Sequence, residues 1–225
     1  MIPDLVVFDC DGVLIDSEPI VNRAHAVTLA ECGFAIGEAE LLRRFCGLSD
    51  AAMLAAIAEE AGRSIPDFYR ERVKSLVARE YRAALRSIAG ISEVLAALTM
   101  PVCVASSGTP EQIRLGLECT HLIGFFEPHL FSATMVGRGK PAPDLFLHAA
   151  ARMGAAPERC LVVEDSEVGV AAAVAAGMTA IGFIGGSHCL PGHAERLRRC
   201  GAAAVIAAMR DLPRTIAMLG PPAGR

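Results

Sequence analysis

The stretch Leu5-Val6-Val7-Phe8-Asp9-Cys10-Asp11-Gly12 decides the fold. Its apolar run is too short for a helix and does not alternate, which suits a strand buried on both faces, as in a parallel sheet. The acid that ends the run and the glycine behind it predict a tight turn at the strand's carboxyl end. Similar runs recur at Val102–Ala105 before Ser106, at Leu161–Val163 before Glu164-Asp165, and at Thr179–Ile184 before Gly185-Gly186. Helical patterns separate them over Pro110–Leu117, Pro143–Met153, Ser166–Ala176 and Pro191–Arg199, several with proline in the first turn. Strands alternating with helices predict an α/β fold, a doubly wound, Rossmann-like and mostly parallel sheet.

Between the first and second of these strands, roughly Ser17 to Ala89, the composition changes. No strand-like run occurs there, and apolar positions recur at helical spacing in Ile20–Ala30, Leu41–Phe45, Ala51–Ile57 and Phe68–Leu85. The expected organisation is an α/β core of residues 1–16 and 88–225 with a small α-helical domain of residues 17–87 inserted into it. The long apolar stretch Val168 to Gly186 could pass for a membrane span, but it consists mostly of Ala and Gly. Gly177 divides it into an expected helix, Val168–Ala176, and an expected strand, Thr179–Ile184.

The chain has 225 residues, 53% of them hydrophobic and 20% charged, which excludes disorder and collagen. Its formal charge of -4 offers no long-range attraction to nucleic acid or an anionic membrane, so neither is expected as a partner. A bound phosphate would have to be held by a few local groups. Only two of the 21 basic residues are lysines, Lys74 and Lys140. The eight cysteines form no Cys-x-x-Cys pair and lie in apolar surroundings, as buried thiols of a reducing compartment do. With no basic region at the N-terminus to suggest a signal peptide, the expected location is cytoplasmic, as a monomer or weak homo-oligomer.

In an open α/β sheet, ligands sit beyond the carboxyl ends of the strands. The residues expected there are Asp9-Cys10-Asp11-Gly12, Ser106-Ser107-Gly108, Gly139-Lys140-Pro141 and Glu164-Asp165-Ser166. Carboxylates, a hydroxyl and an ammonium in one crevice suit a hard divalent cation and a phosphoryl group, since Mg²⁺ takes oxygen ligands. Asp9 and Asp165 are the natural carboxylates, with Glu164 in reserve. The Ser106 hydroxyl, N–H groups around Ser107 and Gly108, and the Lys140 ammonium could hold phosphoryl oxygens. Asp9 can serve as a carboxylate nucleophile, and Asp11 as the acid that protonates the leaving oxygen and then activates water.

These segments, in this order, resemble the four motifs of the haloacid dehalogenase-like hydrolase superfamily: Asp9-Cys10-Asp11-Gly12-Val13-Leu14-Ile15-Asp16-Ser17-Glu18, Ser106, Gly139-Lys140-Pro141-Ala142-Pro143-Asp144, and Val162-Val163-Glu164-Asp165-Ser166. The position of the helical insert resembles the subfamily of β-phosphoglucomutases, phosphoglycolate phosphatases and sugar-phosphate phosphatases, nearest to 6-phosphogluconate-phosphatase-like proteins. The resemblance implies that Asp9 is the nucleophile, Asp11 the general acid/base, and Ser106 and Lys140 the phosphoryl binders. It also implies that Asp165 binds Mg²⁺ with Asp9 and the Asp11 carbonyl, and that Glu164 is a ligand or supports one. The insert would act as a cap over the leaving group. β-Phosphoglucomutases carry a histidine and an arginine where this chain has Val21 and Asp50, so hydrolysis is expected and a phosphomutase is the alternative. Arg44, Gly47 and Lys74 are the candidates for substrate contact in the cap, the substrate being a small phosphorylated metabolite, a sugar or sugar-acid phosphate.

Simpler structural roles are expected elsewhere. Asp16 and Ser17 read as a cap of the first inserted helix and Asp144 as a first-turn helix acid. The Ser107 side chain could cap the helix after it. His188 and His193 read as residues of a solvated loop, the bases from Arg63 to Arg86 as a solvated helix face, and the cysteines as core filler, with Cys10 conspicuous between two acids. A receiver-like phospho-accepting module also places acids, a hydroxyl and a lysine at strand ends, but it has no helical insert.

Overall fold

The computed structural model describes residues 3–45 and 50–219. Contacts divide these residues into one unit comprising those up to Asp16 and from Arg86 onward, and a second unit, Ser17–Leu85. The later junction falls two residues before 87/88. Asp16 N donates to Arg86 O (3.0 Å) and Ile15 bridges to Ser87, so both belong with the first unit.

The first unit is built on six parallel strands: β1 (Leu5–Phe8), β2 (Val102–Ser106), β3 (Leu130–Ser132), β4 (Cys160–Glu164), β5 (Thr179–Phe183) and β6 (Ala204–Ile206). Their order is β3-β2-β1-β4-β5-β6. β1 pairs with β2 on one side (Val7↔Cys103) and β4 on the other (Val7↔Val162), and all four of its residues are buried, as its unbroken apolar run requires. The winding direction reverses between β1 and β4. Their carboxyl ends therefore flank the crevice in which ligands of such sheets bind. β3 and β6, three residues each, were not visible as apolar runs. The expected division at Gly177 holds: a helix, Glu167–Ala175, then Gly177 at φ +75°, then β5. No helix among the described residues is long and apolar enough to cross a membrane.

The second unit holds α1 (Glu18–Glu31), α2 (Glu38–Phe45), α3 (Asp50–Ala61) and α4 (Tyr69–Ala84). Leu29, Phe34, Leu41, Phe45, Leu54, Ile57, Tyr69 and Leu76 form its own hydrophobic core. His25 on α1 is buried there and shares a 2.8 Å hydrogen bond with the Tyr69 hydroxyl. The Asp16-Ser17 expectation needs correction. Ser17 stands at the N-cap of α1 but makes no capping bond with its side chain, and Asp16 Oδ1 accepts from Ser187 N (3.1 Å) and Ser187 Oγ (2.7 Å) instead.

The helices of the first unit are α5 (Ile91–Ala97), α6 (Pro110–Cys119), α7 (Ile123–Phe126), α8 (Asp144–Met153), α9 (Glu167–Ala175), α10 (His193–Arg199) and α11 (Leu212–Leu219). Thr109, not Ser107, caps α6. Its hydroxyl accepts from Gln112 N while the Gln112 side chain accepts from Thr109 N, a reciprocal capping box followed by Pro110. Asp144 opens α8 and accepts from Nε and Nη2 of Arg138.

Candidate active site

Asp9 follows β1 directly, and its N–H donates to Val163 O (3.0 Å), so the β1–β4 ladder runs up to this acid. Its carboxylate is buried. Lys140 Nζ donates to Asp9 Oδ1 (2.6 Å), Glu164 Oε1 (2.6 Å) and Ala105 O (3.0 Å). An ammonium has three hydrogens, and all three are used, on groups from β1, β2 and β4. Burial opposes the charge, but Asp9 and Glu164 outweigh it and hold Lys140 above the usual lysine range. Asp9 is pushed well above the usual carboxylate range by burial, which Lys140 offsets, with Glu164, Asp165 and Asp11 adding repulsion.

Glu164 is the last residue of β4 and has no exposed surface. Its Oε2 accepts from Ser166 N (2.9 Å) and Ser166 Oγ (2.9 Å), and the Ser166 hydroxyl in turn caps α9 at Gly169 N (3.0 Å). Both Glu164 oxygens are thus engaged, one on the turn and one on Lys140. Gly169 makes room for this: a Cβ there would lie 1.8 Å from Glu164 Oε1.

Asp165 follows Glu164 in the same turn. Asp9, Glu164 and Asp165 each bring one oxygen to within 4.8 Å of the others. Asp11, half-buried, lies in a turn closed by Gly12 N donating to Ile15 O (2.8 Å) and by Leu14 N and Ile15 N donating to Cys10 O (2.9 and 3.1 Å). Gly12 has φ +73°, and a Cβ there would lie 1.9 Å from Asp165 Oδ2. The glycine is needed both for its backbone conformation and for the close approach of Asp165. Cys10 is fully buried, and burial, followed by Asp11 and Asp9, holds its thiol well above the usual range, which leaves it protonated and inert.

Ser106 ends β2 one residue past the carbonyl that Lys140 holds, and its Oγ accepts from Gly108 N (3.1 Å). Ser107 is exposed. The Gly108 carbonyl accepts from Ser132 Oγ (2.6 Å), which also bonds the Thr134 hydroxyl (2.9 Å). Ser132, at the end of β3, thereby anchors the Ser106–Gly108 turn. Sequence reading missed it because β3 was not recognised.

The cap candidates fall differently. Arg44 is occupied by Glu40 (2.9 Å) and Glu60 (2.5 Å) and stands over the Phe45 ring, so its charge is already balanced within the second unit. Lys74 is exposed on α4. Gly47 lies outside the described residues. Among the other bases, Arg63 stacks over Phe34 at 3.9 Å and Arg72 grips Glu31 with two bonds.

The expectation of a solvated loop at His188 and His193 is overturned: both are buried. The chain after β5 returns over the first turn, tied down by Ser187 on Asp16. His188 Nε2 lies 3.0 Å from Asp165 Oδ2, and His193 Nε2 lies 2.5 Å from the Asp165 carbonyl oxygen. Burial works against a charged His188, yet the bonds to Asp165 and Cys189 and their charges push its pKa up to about 11. Burial raises Asp165 in turn, partly offset by His188. The only available signal was position, since both histidines follow the carboxyl end of a core strand.

A family model described as haloacid dehalogenase-like hydrolase matches residues 3–177. The chain is 33% identical over 189 residues to 6-phosphogluconate phosphatase from Escherichia coli K12, covering 84% of this chain and 86% of that one. It is 30% identical over 208 residues to the phosphorylated carbohydrates phosphatase of Thermotoga maritima, covering 90% and 94%. A haloacid dehalogenase-like protein of unknown function from Agrobacterium tumefaciens superposes with a TM-score of 0.87 at 39% identity, covering 96% and 98%.

Proposed function

Since this chain belongs to the haloacid dehalogenase-like hydrolases and is a phosphatase, we propose that it is a Mg²⁺-dependent phosphomonoesterase working through an aspartyl phosphate on Asp9. The family match runs through the helical insert that a receiver module lacks, so that alternative is set aside. The observation that carries the reading is the buried group Asp9, Glu164 and Asp165, oxygens within 4.8 Å of one another, with Lys140 bonded to two of the three. Three buried carboxylates against Lys140 and His188 still leave net negative charge among hard oxygen donors, a set that fits a divalent cation. Asp9, Asp165 and the Asp11 carbonyl would hold it, while Glu164, both oxygens engaged, supports Lys140. A bound Mg²⁺ supplies charge compensation that lets a phosphate dianion approach these acids.

In the first step an Asp9 carboxylate oxygen forms a bond to phosphorus as the bond to the leaving oxygen breaks, and Asp11 gives that oxygen its proton. Asp11 then takes a proton from water, whose oxygen attacks the phosphorus of the aspartyl phosphate. The Asp9 carboxylate and inorganic phosphate are released. Lys140, fixed at three points, keeps Asp9 in one orientation and meets charge developing on the phosphoryl oxygens, beside the Ser106 hydroxyl and the N–H groups that follow it.

Hydrolysis is preferred to phosphomutation because Val21 and Asp50 offer neither the imidazole nor the guanidinium a mutase of this kind uses; Asp50 faces the buried His25 at 3.6 Å. The substrate we propose is a phosphorylated sugar or sugar acid, a reading supported by the names of the two curated relatives. Free thiols at all seven described cysteines fit a reducing, cytoplasmic setting.

Hydrolysis of p-nitrophenyl phosphate should vanish with EDTA, return with Mg²⁺, and be lost in Asp9→Asn. Undiminished turnover by Asp9→Asn would sink the assignment. A panel of sugar phosphates, sugar-acid phosphates and nucleotides at fixed Mg²⁺ tests the substrate class, and a flat profile would refute it.

A further inference from the structure

The segment after β5 belongs to none of the four motifs, yet it closes on the acid pit. His188 is buried, with Nε2 at 3.0 Å from Asp165 Oδ2 and 3.6 Å from Cys189 Sγ; its Nδ1 is buried with no partner. A buried ring nitrogen without a partner is unfavourable, so the ring's placement is explained by what its other nitrogen does. His193 completes the arrangement from the start of α10. Arg196 can only donate, so where it meets His193 Nδ1 (2.8 Å) that nitrogen accepts, and the ring proton sits on Nε2, aimed at the Asp165 carbonyl. Arg196 is itself held by Glu167 in the first turn of α9 (2.8 Å). Asp165 is thus gripped at both ends, its carboxylate by His188 and its carbonyl by His193.

His188, Cys189 and His193 also lie close enough together to hold a metal ion of their own. The contacts argue against that use. Both His193 nitrogens are engaged, and the Arg196 guanidinium beside them would repel a cation. The histidines face Asp165 instead, and the donor on Oδ2 leaves Oδ1 as the oxygen to bind a cation.

We propose that His188 is a positioning residue that sets the cation affinity of the site by orienting the Asp165 carboxylate, with His193 and Arg196 fixing the backbone behind it. The proposal rests on the reading above that Asp165 is a cation ligand. Hydrogen-bond partners of metal ligands of this kind are typically worth about 10–100-fold in metal affinity.

The test is Mn²⁺ binding to the full-length, EDTA-stripped protein, measured by calorimetry without substrate. Two variants of similar polarity differ in reach: glutamine sets its amide nitrogen about where Nε2 stands, and asparagine sets it about where Nδ1 stands. His188→Gln should bind within about threefold of wild type, and His188→Asn about tenfold or more weakly. Their metal-free thermal midpoints should match. Equal binding by His188→Asn and wild type overturns the proposal, and so does an equal loss in both variants, which would mark a packing role. A nitrogen strongly coupled to Mn²⁺ in the wild-type pulsed EPR spectrum also overturns it, because His188 would then be a ligand itself. Asp165→Asn separates the two readings. If Asp165→Asn abolishes binding while His188→Asn does not weaken it, the metal site stands and the positioning role falls. If wild type binds no Mn²⁺, both fall.

Discussion

Replacing Gly169 by alanine inverts an ordinary expectation. In a helix, Gly→Ala is favourable by roughly 0.8–1 kcal/mol. At position 169, in the first turn of α9, the new methyl would stand 1.8 Å from Glu164 Oε1 and 1.9 Å from its Cδ. Glu164 is fully buried and held at both oxygens, so it cannot yield without breaking a bond to Lys140 or to Ser166. A hydrogen bond to a charged group contributes about 1.5–3 kcal/mol, and overpacking a core site costs typically 1–3 kcal/mol. Set against the helix gain, a net loss of roughly 1.5–5 kcal/mol follows from these ranges. The catalytic effect should be larger. Lys140 would keep Asp9 and Ala105 but lose the carboxylate that fixes its third direction, and misplacement by an ångström can reduce turnover by about 10²-fold. Urea unfolding and p-nitrophenyl phosphate hydrolysis measure the two effects. Gly124→Ala in α7 is the control, because nothing lies within 4 Å of a Cβ there, and it should leave both quantities near wild type. A Gly169→Ala protein as stable and active as wild type would refute the account of how Glu164 is held.

Gly12→Ala meets Asp165 Oδ2 at 1.9 Å and forces an alanine to φ +73°, so crystals or NMR of the folded fraction should show Asp165 displaced and Mn²⁺ calorimetry a lost site. Wild-type binding would contradict the close packing of that turn. Lys140→Met leaves Asp9 and Glu164 buried without their counter-charge; metal-free stability should fall by about 3–5 kcal/mol, and Mg²⁺ should recover part of it, as thermal melts with and without Mg²⁺ would show. Burial, with Asp4 and Glu158 adding to it, raises the Cys160 thiol from an ordinary 9.0 to about 11. A raised folded value means stability that is complete below pH 9 and lost as pH climbs toward about 11, so the urea midpoint of wild type should drop more steeply over that window than that of Cys160→Ala. Parallel slopes would count against it.

The strand-end acids were legible because each follows an apolar run, and the end of a parallel strand is where such a sheet presents its ligands, whereas Lys140 stood out as one of only two lysines, in a Gly139-Lys140-Pro141 loop. Asp9, Ser106, Glu164 and Asp165 need only that local pattern and the strand order. Ser132 was illegible because three residues of β3 carry no periodicity, and β6 was hidden likewise within an alanine-rich stretch. Thr109 and Ser107 are both plausible caps in sequence; only the Gln112 side chain, reaching back to Thr109 N, decides between them. His188 and His193 look like loop residues because what buries them is the return of a distant segment onto Gly12 and Asp16. Arg44 read as a candidate for substrate contact because its pairing with Glu60, sixteen positions away on α3, is not visible from spacing alone.

The neighbour relation of β1 and β4 bears on how the enzyme comes into being. A ribosome delivers Asp9 well before Asp165, and the two meet across a ladder that a product ending short of β4 cannot form. Until then the nascent polypeptide carries Asp9 without the other two acids of the group. The acid group of Asp9, Glu164 and Asp165 is therefore a product of late folding, and a chain cut short of β4 cannot assemble it.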